Sequence, residues 1–282
     1  MKIIVTGVNG QLGFDVVREL YKRKYTDVIG IDINDLDITD HVAVDIFLNQ
    51  KKPDIIIHCA AYTAVDSAED NERLCYDVNV NGTKYLVEAA KKHNAKFVYI
   101  STDYVFSGYK NKSYEIDDFP NPKTIYGKTK LLGEKEVLKY DKYFIIRISW
   151  VFGTNGNNFV KTMLRLGKGK EKINVVSDQK GSPTYTYDLS RLISDMIKTE
   201  KYGLYHATNE GSCSWYEFAS EIFRLANMDV KLNPVTTDKY PTKAKRPSNS
   251  SLSKKSLSEN GFNFLPTWQD ALKRYLNEIG VS

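Results

Sequence analysis

Tyr126 and Lys130 stand four residues apart in Ile125-Tyr126-Gly127-Lys128-Thr129-Lys130, just after Pro120-Asn121-Pro122. If that stretch opens a helix, a phenol and an ammonium leave the same face one turn apart. The cation favours the phenolate and lowers the cost of giving up the phenolic proton. With 19 tyrosines in a lysine-rich chain the spacing alone is no better than chance, so its meaning must come from its surroundings. Upstream, Ser101-Thr102-Asp103 closes the apolar run Lys96 to Ile100 with two hydroxyls and a carboxylate. A small hydroxyl such as Thr102 can hydrogen-bond an oxygen on which negative charge grows. Weak acid, fixed cation and hydroxyl together suit proton delivery to a ketone.

Such a reaction also needs a hydride carrier, and the N-terminus offers it a seat. Ile3-Ile4-Val5 reads as a buried strand that breaks at glycine and turns into a helix from about Gln11 to Lys24. Gly7, Gly10 and Gly13 allow a tight turn, close approach of a pyrophosphate to backbone N–H groups, and close helix–strand packing. The spacing is one residue looser than the usual dinucleotide fingerprint. A second apolar run, Val28 to Ile31, ends in Asp32, where an acid can hydrogen-bond an adenosine ribose. From Ile33 to Gln50 there is no Arg or Lys, so a 2′-phosphate has no local cation and electrostatics favours NADH unless an arginine arrives from elsewhere. Asp40 caps a short helix to Lys52, and Pro53 restarts the chain into strand Asp54 to His58. The small residues Cys59-Ala60-Ala61 before Tyr62-Thr63 let a nucleotide lie against the backbone, although tight packing alone accounts for them equally well.

The elements that must position these groups alternate. A helix from Asn71 to His93, carrying Asn79 and Asn81, precedes strand Lys96 to Ile100; the Tyr126/Lys130 helix to about Tyr140 precedes strand Tyr143 to Ile148. Repeated βα units predict an α/β fold, a doubly wound parallel (Rossmann-type) sheet, with a smaller C-terminal α/β substrate lobe. We assign residues 1–150, completed by about 185–212, to dinucleotide binding, and 151–184 with 213–282 to the lobe. In the second half, helices are expected at Asn158 to Gly167, Asp188 to Thr199, Ser214 to Asn227 and Thr267 to Ile279, with short strands near Ile173 to Val176 and Gly203 to Ala207. A loop from Lys239 to Ser258 carries Lys239, Lys243, Lys245, Arg246, Lys254 and Lys255 and no acid. It is either a solvated loop or a seat for a diphosphate, with Arg246 the best bidentate donor.

The bulk numbers narrow the class. At 282 residues, 41% hydrophobic and 27% charged, the chain can bury a large core, and disorder is excluded. No apolar run approaches a membrane span, and no signal segment precedes the first strand, so a cytoplasmic protein is expected. Three cysteines, Cys59, Cys75 and Cys213, without a Cys-x-x-Cys pair fit a reducing compartment. The histidines lack ligand-like spacing, so no metal is expected. The basic loop lacks interleaved aromatics, which argues against nucleic acid.

Taken together, Gly7-x-x-Gly10-x-x-Gly13, Ser101-Thr102-Asp103 and Tyr126-x-x-x-Lys130 resemble the extended short-chain dehydrogenase/reductase family. The match narrows to its branch of deoxythymidine-diphosphate (dTDP) sugar 4-ketoreductases through several longer strings: Gly10-Gln11-Leu12-Gly13, Ala60-Ala61-Tyr62-Thr63-Ala64-Val65-Asp66, Ser101-Thr102-Asp103-Tyr104-Val105-Phe106, Ser149-Trp150-Val151, Gly156-Asn157-Asn158-Phe159, Gly181-Ser182-Pro183-Thr184 and Arg246-Pro247. The resemblance implies NADPH- or NADH-dependent reduction of the 4-keto group of dTDP-4-dehydro-L-rhamnose to give dTDP-L-rhamnose. In that scheme the catalytic residues are Thr102, Tyr126 and Lys130. Cofactor-binding candidates are Gly7, Gly10, Gln11, Leu12, Asp32, Asp37, Cys59, Ala60, Ala61, Thr63, Tyr126 and Lys130. Substrate-binding candidates are Thr102, Asp103, Val105, Trp150 and Arg246, with Trp150 on the nucleotide sugar. Some members dimerise through magnesium held by glutamates near the Gly-x-Pro-Thr loop; here that loop continues Tyr185-Thr186-Tyr187-Asp188 without a matching acid. We therefore expect no metal and leave a homodimer open. Two other readings share these motifs: an epimerase or dehydratase that retains its NAD, and a non-catalytic NADP-binding subunit like the regulatory subunit of methionine adenosyltransferase.

Overall fold

The computed structural model describes residues 1–169 and 171–281. The first half alternates strands and helices as expected: β1 Ile3–Thr6, α1 Gln11–Lys22, β2 Val28–Ile31, α2 His41–Lys51 and β3 Ile55–His58, then two short turns of helix, α3 Val65–Ala68 and α4 Glu72–Tyr76. A π-helical stretch, Asp77–Gly82, leads into α5 Thr83–His93, followed by β4 Lys96–Thr102, α6 Ile125–Val137 and β5 Tyr143–Ile148. The second half holds β6 Val151–Phe152, α7 Phe159–Gly167, β7 Lys172–Val176, β8 Lys180–Gly181, β9 Thr184–Tyr185 and α8 Thr186–Met196. It continues through β10 Gly203–His206, β11 Asn209–Glu210, β12 Cys213–Ser214, α9 Trp215–Leu225 and β13 Lys231–Val235, and ends with α10 Lys255–Glu259, β14 Leu265–Thr267 and α11 Trp268–Glu278.

Six parallel strands form the main sheet in the order β10-β5-β4-β3-β1-β2. Its strands are apolar on both faces because helices cover both. Ile3, Val5, Ile55, Ile57, Phe144 and Ile146 pack against α1 and α8, while Ile4, Ile56, Phe97 and Ile145 pack against α2, α5 and α6. Each such side chain, fully withdrawn from water, contributes about 1.5–3 kcal/mol relative to exposure. Local signals set the helix ends. The Asp40 carboxylate accepts from Ala43 N, and α2 stops at Lys52 in a left-handed conformation before Pro53.

Two features depart from the sequence expectation. The helix expected from Asn71 to His93 runs unbroken from Glu72 to His93 but widens into the π-helical stretch, where buried Asn79 turns its amide onto the loop after β3. That amide accepts from Tyr62 N at 2.9 Å and donates to Tyr62 O at 3.2 Å and Thr129 Oγ1 at 3.1 Å. The one-residue widening of a π turn is a known device at sites. The other departure lies at the C-terminus: Leu257, Phe262 and Leu265, expected in the substrate lobe, pack into the α1/α8 layer of the main sheet.

The lobe is built from small ladders, β6 with β9, β7 with β13, β8 with β12 and β11 with β14. They surround a separate apolar cluster between α7, α9 and α11 that includes Val160, Met163, Phe218, Ile222, Leu272 and Tyr275.

Candidate active site

The carboxyl ends of β1, β2, β3, β4 and β5 open onto one cleft of about 500 Å³. Such an edge is where open parallel sheets hold ligands. On its cofactor side the cleft is lined by Gly7, Gly10, Gln11, Leu12, Asp32, Asp37, Cys59, Ala60, Ala61 and Thr63, and on the other by Thr102, Asp103, Tyr104, Tyr126, Lys130 and Trp150. Val105 and Arg246 fall outside. The Val105 side chain is fully buried against Phe106, Tyr114 and Leu252. Arg246 donates to the Tyr104 hydroxyl at 2.8 Å and pairs with Asp66, so it reaches the cleft only through Tyr104.

The glycine turn is held by its own backbone. Gly7 has φ +69°, Gly10 N donates to Gly7 O at 3.0 Å, and a Cβ on Gly13 would stand 2.2 Å from Gly7 O. That cradle fits a dinucleotide, because only glycine leaves the first turn of α1 open to a pyrophosphate. Asp32 braces the turn, accepting from Asn9 N at 2.9 Å. From the other lobe Asn155 donates to Asn9 O at 2.7 Å and Asn158 to Gln11 Oε1 at 3.1 Å, so the Gly-Asn-Asn-Phe string touches the cofactor turn. Asp37 is engaged locally with Thr39.

The helix carrying the Tyr/Lys pair starts where expected. Buried Thr124 accepts from Gly127 N at 3.0 Å, and Glu69 accepts from Ile125 N at 2.9 Å. Both Tyr126 and Lys130 are buried at the cleft. Burial pushes the Tyr126 phenol well above its usual range, opposed chiefly by the Thr102 hydroxyl. Burial pulls the Lys130 ammonium down to about 7, opposed chiefly by Glu134. Lys130 Nζ lies 4.0 Å from the Tyr99 ring centroid, and the Thr102 hydroxyl is the main influence easing the phenol's ionisation in the free chain. Burial also raises Asp103 to about 6 against the Ser250 and Thr102 hydroxyls, and Thr102 donates to Asp103 Oδ1 at 2.9 Å.

Two groups beneath the site escaped the sequence reading. Glu134, one turn beyond Lys130, accepts from Arg147 Nε at 2.8 Å and Nη2 at 2.7 Å and from Ser101 at 2.5 Å, all buried. A signal existed: Arg147 interrupts the otherwise apolar Phe144-Ile145-Ile146-Arg147-Ile148, and a buried cation needs a partner. Tyr104, edge-on to Tyr126 at 5.6 Å, was passed over inside the Ser-Thr-Asp-Tyr string.

Trp150, between β5 and β6, has φ +47°, a conformation that costs a bulky residue about 1–3 kcal/mol and clusters at functional sites. The basic loop is mostly neutralised: Lys243 pairs with Asp70, Arg246 with Asp66, Lys254 with Glu210 and Lys255 with Glu259. Among the described residues no three His, Cys, Asp or Glu side chains converge as metal ligands would, and no helix is long and apolar enough to cross a membrane.

Comparison with known proteins returns one family, described as RmlD substrate binding domain, which matches residues 1–281. The chain is 42% identical to a dTDP-4-dehydrorhamnose reductase of Aggregatibacter actinomycetemcomitans, over 96% of this chain and 97% of that one. Among solved structures it is similar to a dTDP-4-dehydrorhamnose reductase of Clostridium acetobutylicum, at 46% identity and TM-score 0.97 with 99% of both chains covered. It is also similar to the Bacillus anthracis dTDP-4-dehydrorhamnose reductase in complex with NADP, at 47% identity and TM-score 0.96, covering 99% of this chain and all of that one.

Proposed function

Because this chain belongs to the RmlD substrate binding domain family, we propose that its cleft brings a reduced nicotinamide dinucleotide and a dTDP-sugar together at Thr102, Tyr126 and Lys130. The chain is an NAD(P)H-dependent dTDP-4-dehydrorhamnose reductase, converting dTDP-4-dehydro-L-rhamnose to dTDP-L-rhamnose. The observation that carries the site is the single cleft lined by the glycine turn, the end of β4, the first turn of α6 and Trp150. Neither the NAD-retaining epimerase or dehydratase nor the regulatory subunit draws support from the relatives above.

When bound, the reduced cofactor supplies the hydride that adds to C4. Gly7, Gly10, Gln11 and Leu12 would hold its pyrophosphate, Asp32 and Asp37 its adenosine, and Cys59 to Thr63 its flank. The protein's part in the chemistry is the proton. Burial keeps Tyr126 in its neutral, proton-loaded form, which is the form a reduction consumes. As charge grows on the O4 oxygen, Tyr126 gives its proton there, and the phenolate left behind is met by the Lys130 ammonium from the next turn of α6. Thr102 offers its hydroxyl to the same oxygen, in competition with Asp103, which takes that hydrogen bond in the free protein. Trp150 walls the sugar.

The reading divides the chain into residues 1–150 with 185–212 for cofactor and 151–184 with 213–282 for substrate. The return of β10 to the main sheet and the separate cluster around Phe218 support it, while Leu257 and Phe262 make the border less clean. A cytoplasmic setting is supported by three unpaired cysteines. A homodimer, which the sequence leaves open, is read by light scattering. The direct test is to mix folded protein with dTDP-4-dehydrorhamnose and NADPH or NADH in parallel and follow cofactor absorbance. Loss of absorbance with at least one cofactor is expected; none with either overturns the reading.

A further inference from the structure

We infer that Trp215, which does not line the cleft, is a positioning residue for sugar recognition, fixing the indole of Trp150 as the wall against which the substrate's sugar is held. The inference rests on the reading of the cleft as a dTDP-sugar site. The β4–β5 register sets Thr102 opposite Ile148, so the chain reaches Trp150 two residues beyond the position that faces the Thr102 hydroxyl. That places Trp150 beside the reacting sugar rather than at the far end of a nucleotide.

Trp150 is held from every side but the cleft. Its backbone is left-handed, its carbonyl accepts from Thr184 N at 3.1 Å, and the preceding Ser149 donates to Ser182 O at 2.6 Å. Its indole edge lies so close to Gly181 that a Cβ there would stand 2.4 Å from Cε2. Its face is covered by Trp215, stacked at 3.5 Å between centroids and 6° between planes. The edge and face constraints form one unit, since β8 pairs with β12 with Gly181 opposite Cys213 and Lys180 opposite Ser214. Trp215 is the first residue of α9, whose start is locked by a capping box between Ser214 and Glu217. Behind it stand Phe159 at 4.5 Å and Phe218 at 6.4 Å, so the stack runs from the cleft wall into the lobe core. The partly exposed Trp150 side chain lines the cleft.

The test compares wild type, Trp215→Leu and Trp215→Phe, each checked for folding by thermal melt. Steady-state kinetics with dTDP-4-dehydrorhamnose and NADPH is combined with circular dichroism, in which two stacked indoles give an exciton couplet. For Trp215→Leu we expect loss of the couplet, a KM for the sugar nucleotide raised about three- to tenfold, an unchanged NADPH KM and a kcat within about twofold. Trp215→Phe, which restores a stacking ring, should recover most of the KM. An unchanged sugar-nucleotide KM in a folded Trp215→Leu protein without couplet overturns the inference, as does an equal rise in both KM values. A wild type that oxidises neither NADPH nor NADH overturns the functional reading instead. Titration of dTDP-glucose by calorimetry then decides the inference, weaker binding to Trp215→Leu upholding it and equal binding overturning it.

Discussion

The two walls of the cleft are built on different principles. On the sheet side every group of the site stands at the end of a strand in a six-stranded ladder or on a helix packed across it. On the lobe side the wall rests on two-residue ladders and a stack of rings. The ladder side carries a set of buried charged groups: Lys130, Asp103 and the Glu134–Arg147 pair are all at least nine-tenths buried. Desolvating such groups is costly, and only a scaffold whose own stability is secured elsewhere can carry them. On the reading proposed above, chemistry stands on the ladder wall and sugar recognition on the ring-stacked one.

Four changes would break or sharpen that contrast. The largest effect belongs to Tyr126→Phe, which removes the proposed proton donor and keeps the ring; kcat should fall by about 10²–10⁴-fold with NADPH affinity retained. Unchanged turnover in single-turnover assays would strip Tyr126 of its role. Next comes Glu134→Gln, which leaves the Arg147 charge buried against a neutral amide. It should cost roughly 3–5 kcal/mol of stability in denaturant melts, and a loss near zero would mean that the ladder side is no less forgiving than the lobe.

A smaller effect comes from acid. Burial lowers both His58 and His206 to about 3, and both lie at strand ends of the main sheet. Below their ordinary value of 6.5 the unfolded chain binds a proton at each that the folded chain refuses, so stability falls as pH drops from about 6.5 toward about 3. Going from about pH 7 to about pH 5.5 costs roughly 1 kcal/mol per histidine. Asp103, raised to about 6, binds its proton more readily when folded and offsets about half of one of these. The double variant His58→Gln/His206→Gln should lose less stability over that interval than wild type; an equal loss would mean other groups govern the acid response. The smallest effect is on the lobe side. Exposed Asp178 accepts from Thr237 N at 3.0 Å, and Asp178→Ala should cost under about 1 kcal/mol with kcat unchanged.

The sheet side was legible because its determinants are local. Glycines at 7, 10 and 13, the Asp40 cap before Pro53, and the run from Pro122 into Tyr126 each specify backbone within a few residues. The alternation of apolar runs then forces parallel pairing. What escaped the sequence depends on partners far along the chain. The loop of Arg246 reads as either a solvated loop or a diphosphate seat, and its acid in the free chain, Asp66, lies 180 residues away. Trp150 was readable as an aromatic near a sugar, but its stacking on Trp215 was not, because no periodicity links them. The π turn at Asn79 was hidden for another reason: an inserted residue in a helix leaves the apolar rhythm on either side nearly intact.

The late arrival of β10 has a consequence during synthesis. It pairs with β5, yet Ser149 to Tyr202 must leave the ribosome before it does, roughly 3–11 s at ordinary translation rates. For that time Phe144-Ile145-Ile146 is an unpaired edge of a nascent sheet, the kind of strand that recruits neighbours into aggregates. Arg147, next along the strand, turns its guanidinium to Glu134 of α6, a partner already synthesised before it.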